Sequence, residues 1–359
     1  MSTTLPTITH NAAPRPPHED PLAQAALCSL CPKLCRPTCP VQHATGRESA
    51  APWRISGAVV AGVADGWSVE LAEQVAQCTG CGACGEPCLP GTNLPEESRA
   101  ARAAAAAGGA PLPAAVALRE RLAATGSPRS APRTVSADDA GATTVAFLGC
   151  PAPDESGEAV LALFRAAGEP VRCDAGEACC GAVALDLGLP AEAAALAARC
   201  AESLAGAERV VAVTPSCARA MREEWPRLGV AAPPVVTAVE WLAGVLDRLA
   251  LRRSDEPVAW HAPCTLARIL GVVDAPLRVL AALSSDVREP AATGTATRCS
   301  GAGAAYPLVD RAGAEAVAAV RRDELAALGA PAVTACPSAA RALGATDLYV
   351  LAASRLEDR

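Results

Sequence analysis

Seventeen of the 359 residues are cysteine, and eight of these fall in two short runs near the N-terminus. The later run, CTGCGACGEPC, spaces Cys78, Cys81, Cys84 and Cys88 as C-x2-C-x2-C-x3-C. Three thiolates at that spacing wrap one corner of an iron-sulfur cube, while a fourth reaches elsewhere. The earlier run, CSLCPKLCRPTCP, places Cys28, Cys31, Cys35 and Cys39 as C-x2-C-x3-C-x3-C-P, one residue longer in its middle gap. Two 4Fe-4S clusters are the chemistry this pattern predicts. A pair of four-cysteine zinc sites is the alternative, because zinc also accepts C-x2-C pairs; zinc sites, however, take two pairs from separate knuckles and have no use for a third cysteine at +3 and a fourth at +4.

Seven further cysteines recur in order. Cys150 is followed after 28 residues by Cys179-Cys180-Gly181 and after 35 more by Cys217; Cys264 is followed after 34 residues by Cys299-Ser300-Gly301 and after 34 more by Cys336. Four of them end apolar runs that read as buried strands: TTVAFLGC (143–150), RVVAVTPSC (209–217), PVAWHAPC (257–264) and APAVTAC (330–336). A helix is predicted from Asp154 to about Ala167, stopping at Gly168. The later set repeats the earlier at an offset of about 115–120 residues, which predicts two β/α units facing each other with cysteines at strand ends. Cys173 and Cys200 match no position of the pattern and are expected as core thiols; His43, just after the first run, is expected to be structural.

The elements that must position these groups divide the chain. Residues 1–17 are expected as a disordered tail, lacking apolar periodicity. Residues 18–122 read as a helical domain, with WSVELAEQVAQ (67–77) showing helical spacing. The stretch 123–141, rich in Ser, Pro, Gly and Thr, marks a linker. Residues 142–253 form the first cysteine-rich repeat and 254–359 the second. The predicted class is multi-domain α and α/β.

The formal charge is −7, from 31 Lys plus Arg against 38 Asp plus Glu, which excludes the basic stripe of a nucleic-acid binder. The first twenty residues hold no apolar stretch of secretory type, and no segment reaches the roughly 18 uncharged apolar residues of a membrane span. A cytoplasmic location is expected, at most peripheral at the inner face of the membrane, where clustered thiols are metal ligands or catalytic groups rather than a disulfide scaffold. Gly301-Ala-Gly303 begins like a dinucleotide fingerprint but lacks the third glycine, and no Walker motif, G-x-S-x-G elbow or H-E-x-x-H is present. Electrons must therefore come from outside the chain.

Cys-Cys-Gly followed some 35 residues later by a strand-end cysteine resembles the duplicated cysteine-rich CCG domain of heterodisulfide reductase subunits, of the glycolate oxidase iron-sulfur subunit and of the iron-sulfur subunit of anaerobic glycerol-3-phosphate dehydrogenase. That family also carries a helical two-cluster ferredoxin domain at its N-terminus, so the resemblance covers the chain after residue 20. In two-cluster ferredoxins the fourth cysteine of each run ligates the other cluster. The resemblance thus implies one 4Fe-4S cluster on Cys28, Cys31, Cys35 and Cys88 and another on Cys78, Cys81, Cys84 and Cys39. In the reductases the CCG repeats hold a noncubane cluster that does disulfide chemistry, on a motif ending in C-x2-C. Here Ala220 and Ala339 stand at the last position, and Ser300 replaces one cysteine of the second pair. Cys150, Cys179, Cys180 and Cys217 remain as donors for a further iron-sulfur cluster or metal. Cys264, Cys299 and Cys336 form a weaker set, completed by a non-cysteine ligand such as His261, Ser300 or a small molecule. His261 matches the family's His-x-Pro-Cys element; it reads either as packing at the strand end or as a ligand or proton relay. The candidates for catalysis are Cys179, Cys180 and His261.

The leading expectation is an iron-sulfur electron-transfer subunit, an oxidoreductase component that works with a flavoprotein or other dehydrogenase partner. A membrane quinone-reducing partner is a further expectation. A catalytic disulfide reductase using the CCG cysteines is the runner-up, and a noncatalytic zinc-binding interaction module is the third reading.

Overall fold

The computed structural model describes residues 20–357 except 130, 132, 140 and 175; the tail expected over 1–17 lies outside them. Short apolar runs such as TVAF and RVVA are buried along nearly their whole length, as in parallel strands covered on both faces. Strands β1 (Ala137–Asp138), β2 (Thr144–Phe147), β3 (Arg172–Cys173), β4 (Arg209–Ala212) and β5 (Val235–Thr237) form one sheet in the order β1-β3-β2-β4-β5. All its pairs are parallel except β1 with β3. A second, all-parallel sheet holds β6 (Val258–His261), β7 (Val287–Arg288), β8 (Ala332–Thr334) and β9 (Thr346–Asp347) in the order β7-β6-β8-β9. Leaving β1 aside, the two orders are the same, so the repeat in sequence is a repeat in topology. The fold is multi-domain α and α/β, as the sequence predicts.

Strand β1 falls within the stretch read as a linker, and that expectation is corrected. Asp139 binds Val171 through both its backbone N–H and its carboxylate, at 3.3 and 2.9 Å. Arg133 and Val135 are buried, and the Arg133 guanidinium donates to the Gly149 carbonyl at 2.9 Å. Residues 133–139 therefore belong to the first unit. The helix expected from Asp154 runs Asp154–Ala166, with Gly168 beyond it at φ +68°.

One apolar core runs through both sheets, joining Val211, Val213 and Trp241 of the first unit to Trp260, Val279 and Tyr349 of the second. Helix Leu348–Ser354 packs on helix Asp154–Ala166, and Ser156 donates to Asp347 at 2.7 Å where they meet. The N-terminal domain is helical. Helix Pro52–Asp65 contributes Ile55, Ala58 and Val59 to a small core shared with Val75, Leu94 and Ala101. The 67–77 stretch forms helix Val69–Val75, capped by the Ser68 hydroxyl, which accepts from the Leu71 N–H. Among the described residues no helix is long and apolar enough to cross a membrane.

Candidate functional site

The two N-terminal runs fold over one another. A small cavity is lined by Cys28, Cys31, Cys35 and Cys88, with Trp53, Thr92 and Cys84 also on its wall. Cys28 rides on the 3-10 helix Ala23–Leu30, and Cys88 lies in the loop before helix Leu94–Ala107. Burial, and then the neighbouring thiols Cys28, Cys88 and Cys31, push the Cys35 thiol up to about 11. Cys39 instead has Cys81 and Cys78 as its charged neighbours and is pushed up to about 12, chiefly by burial. Cys84 feels Cys78, Cys81 and Cys39 before Cys35. The fourth cysteine of each run thus stands with the first three of the other.

Backbone N–H groups point at these sulfurs. Lys33 donates to Cys31 Sγ at 3.4 Å, Gly80 to Cys78 Sγ at 3.4 Å and Thr92 to Cys88 Sγ at 3.3 Å. Both Lys33 and Gly80 have left-handed φ, +64° and +66°, which turns the N–H back onto the sulfur two residues earlier. Glu97 is fully buried near Cys28, its two carboxylate oxygens lack a hydrogen-bond partner among the described residues, and burial raises it to about 7.

The repeats use the same turn. Gly181 donates to Cys179 Sγ at 3.4 Å and Gly301 to Cys299 Sγ at 3.3 Å, with φ of +85° and +81°. A Cβ on Gly181 would stand 2.7 Å from the Ala193 carbonyl oxygen, and one on Gly301 would stand 2.4 Å from that of Ala314. The glycine after each cysteine pair is therefore required by both turn and packing. Cys150 and Cys217 follow β2 and β4, which are adjacent and parallel in the middle of their sheet; Cys264 and Cys336 follow β6 and β8 in the same way. The carboxyl ends of central parallel strands are where α/β sheets form crevices, and here the two units open onto one shared cavity of about 570 Å³.

Cys150, Cys179, Cys180, Cys217, Cys264, Cys336 and Ser300 all line that cavity. In the first unit the thiols gather: Cys150 and Cys180 are the thiol neighbours of Cys179, and Cys180 Sγ lies 3.4 Å from Cys217 Sγ. The neighbouring Cys179 and Cys217 thiols hold Cys180 well below the ordinary thiol range, with Arg219 adding to the effect, while Cys179 and Cys217 are raised. Cys299 does not line the cavity. It is buried, in a cluster with Cys81 against which Cys264 packs.

His261 is also placed away from the cavity lining. Its ring is buried in β6, Nδ1 accepts from Arg321 Nε at 3.1 Å, and burial followed by the Arg321 charge pushes it well below its ordinary value. Ala220 is buried in the core of the first unit, whereas Ala339 lines the cavity. Cys173 and Cys200 sit in the apolar cores and His43 is exposed.

Sequence reasoning missed the seam between the helical domain and the repeats. Thr79 and Gly80 form part of the cavity wall. A Cβ on Gly303 would meet the Thr79 carbonyl oxygen at 2.4 Å, so the two loops lie backbone to backbone. Arg102 Nη2 donates to the Cys78 carbonyl at 2.8 Å, while its Nη1 reaches the carbonyls of Asp186 and Ala304. Arg268 does the reverse from the second unit, donating to the carbonyls of Cys81 and Thr297 at 2.7 and 2.6 Å. No local pattern marks these arginines, because their partners are far away in sequence.

Two segments of the chain, 144–222 and 258–342, match the model of a cysteine-rich domain, CCG. The chain carries two CCG domains. Both matched segments hold their unit's strand-end cysteines and its Cys-x-Gly turn. The chain is 29% identical over 215 residues to one subunit of the fumarate reductase (CoM/CoB) of Methanothermobacter marburgensis, across 56% of this chain and 43% of that protein. It is 40% identical over 80 residues to one subunit of the dihydromethanophenazine:CoB–CoM heterodisulfide reductase of Methanosarcina mazei, across 21% of this chain and 20% of that one. Both relatives are named as reductase subunits, and the chain spans less than half the length of either.

Proposed function

We propose that this chain is an iron-sulfur electron-transfer subunit of an oxidoreductase, receiving electrons from a flavoprotein-type dehydrogenase subunit and passing them to an acceptor in the cavity between the CCG units. The observation that carries the reading is that the loop joining Cys78 to Cys81 is itself a wall of that cavity, through Thr79 and Gly80. The residues fit two 4Fe-4S clusters. The donors are all thiols, four to a group, met by backbone N–H groups, and one group lines a cavity of its own. Cys28, Cys31, Cys35 and Cys88 would hold one cluster and Cys39, Cys78, Cys81 and Cys84 the other. When bound, each supplies a one-electron carrier whose potential depends on burial and on hydrogen bonds to its sulfurs.

The chain's own residues do the rest. Lys33, Gly80 and Thr92 direct N–H dipoles at ligand sulfurs, while Arg102 and Arg268 fix the Cys78–Cys81 loop against both CCG units. The first CCG unit, with Cys150, Cys179, Cys180 and Cys217, is the donor set for a further cluster or metal; of its cysteines the second brings Cys264 and Cys336 to the cavity, beside Ser300. A second reading, catalytic disulfide reduction in the first unit, is favoured by the Cys180 thiol, which is held low and faces the cavity. The test is redox cycling of the full-length protein without oxygen. Dithionite should bleach its visible absorbance and a dye acceptor should restore it, whereas a protein with no reducible absorbance ends the proposal. Stoichiometric restoration by a small disulfide would select the second reading.

A further inference from the structure

The cavity between the CCG units carries more than thiols. Arg121, Arg129, Arg219 and Arg341 line it, and Asp186 is the single carboxylate among the lining residues. Asp186 is already engaged by Arg219, 3.4 Å away in an ion pair buried on both sides. The other three guanidinium groups therefore face the cavity without a carboxylate of their own. Arg129 uses Nε on the Ala131 carbonyl at 3.1 Å, but its Nη1 is buried with no acceptor among the described residues. Among the described residues Arg121 donates to the Pro128 carbonyl alone, at 3.3 Å. Arg341, on helix Pro337–Leu343, makes no hydrogen bond or ion pair with any described residue. In a chain of net charge −7 this is a local excess of positive charge, in a cavity onto which both CCG units open. A buried guanidinium N–H without an acceptor is costly, and a planar oxyanion answers it with two parallel bonds.

We propose that this cavity binds a small organic carboxylate, held by Arg129 from the first unit's side and Arg341 from the second, with the rest of the molecule against the cysteine-lined wall. The inference rests on the reading of the cavity as the acceptor site and adds the chemical class of its occupant. A volume of about 570 Å³ suits a small molecule rather than a peptide. Arg129 and Arg341 are specificity-determining residues, one on the segment that leads into the first unit and one on the second unit, so a bound carboxylate also ties the two together.

The experiment is calorimetric titration of the full-length, anaerobically prepared protein with succinate, its neutral diamide and inorganic phosphate as probes, with iron measured on every sample. Succinate should bind, and binding should weaken with added salt. The diamide and phosphate should bind at least tenfold more weakly. R129Q and R341Q should each weaken succinate at least tenfold with iron content unchanged. R355Q, which removes an arginine paired with Glu256 away from the cavity, should leave binding as it was. Absence of succinate binding in a protein that keeps its iron and its redox cycling overturns this inference and leaves the electron-transfer reading standing. Equal affinity for phosphate overturns the carboxylate assignment, and loss of iron in R129Q or R341Q overturns it in favour of charge compensation of a bound cluster. Succinate binding by a protein without reducible absorbance would sink the electron-transfer reading instead.

Discussion

Cys81, of the later N-terminal run, packs beside Cys299 of the second CCG unit across the seam between the domains. Both are buried, in a core they share with Tyr306 and Val317. The neighbouring Cys299 thiol raises Cys81 well above its ordinary value, ahead of burial, while the neighbouring Cys264 leads in raising Cys299 to about 12. If Cys81 is ionised as a ligand, Cys299 is the partner that keeps a proton and donates it.

Cys299 is therefore expected to tune the group on Cys39, Cys78, Cys81 and Cys84. Replacing it with alanine should lower that group's midpoint potential by about 60 mV, a tenfold change for a one-electron couple. Cys299→Ser, which keeps a donor, should recover most of the shift. A potentiometric titration followed by paramagnetic resonance checks this, and an unchanged potential in Cys299→Ala removes the role.

Ligation crossing between the runs predicts an asymmetric loss. Cys88→Ala should damage the centre on Cys28, Cys31 and Cys35 and spare the other, read as two separable resonance signals in the reduced protein. Loss of the Cys78, Cys81, Cys84 centre instead would mean that each run serves its own cluster.

The two CCG glycines are expected to be intolerant. Gly181→Ala and Gly301→Ala each force a Cβ against a carbonyl oxygen at positive φ and should destabilise the fold by about 1–3 kcal/mol apiece. Thermal or denaturant unfolding measures it. Gly66→Ala, also at positive φ but with nothing within 4 Å of its Cβ, should cost less.

Sequence and structure agree where chemistry is local. Cys150, Cys217, Cys264 and Cys336 were readable as strand-end thiols because each closes an apolar run, and Gly181 and Gly301 because a turn of that hand favours glycine. Strand β1 was not readable, since two residues in a polar stretch have no period. Nor was the surrounding of His261: β6 is buried on both faces, so alternation does not tell which side a residue takes, and its partner Arg321 lies 60 residues away. The departure of Cys299 from its own unit's cavity toward Cys81, and the gathering of Arg129 and Arg341, are products of tertiary packing alone.

Glu97 gives a pH dependence. Its carboxyl is raised by burial from 4.5 to about 7, so its contribution to stability is complete below about 4.5 and is lost as pH rises through 7. Glu97→Gln should flatten the fall in stability between pH 5 and pH 8. Glu177, also raised to about 7, should keep part of the slope. Unfolding midpoints across that range, with and without the substitution, test the sign; a steeper fall in the variant would contradict it.

The central claim is that the eight N-terminal cysteines hold two cubane clusters. Iron, acid-labile sulfide and zinc measured together on the full-length protein, purified without oxygen, test it most directly. The variant Cys150→Ser/Cys179→Ser/Cys180→Ser/Cys217→Ser, measured alongside, removes the first CCG unit's contribution. The account predicts about eight iron and eight sulfide per chain retained in that variant. About two zinc per chain with no labile sulfide would contradict it.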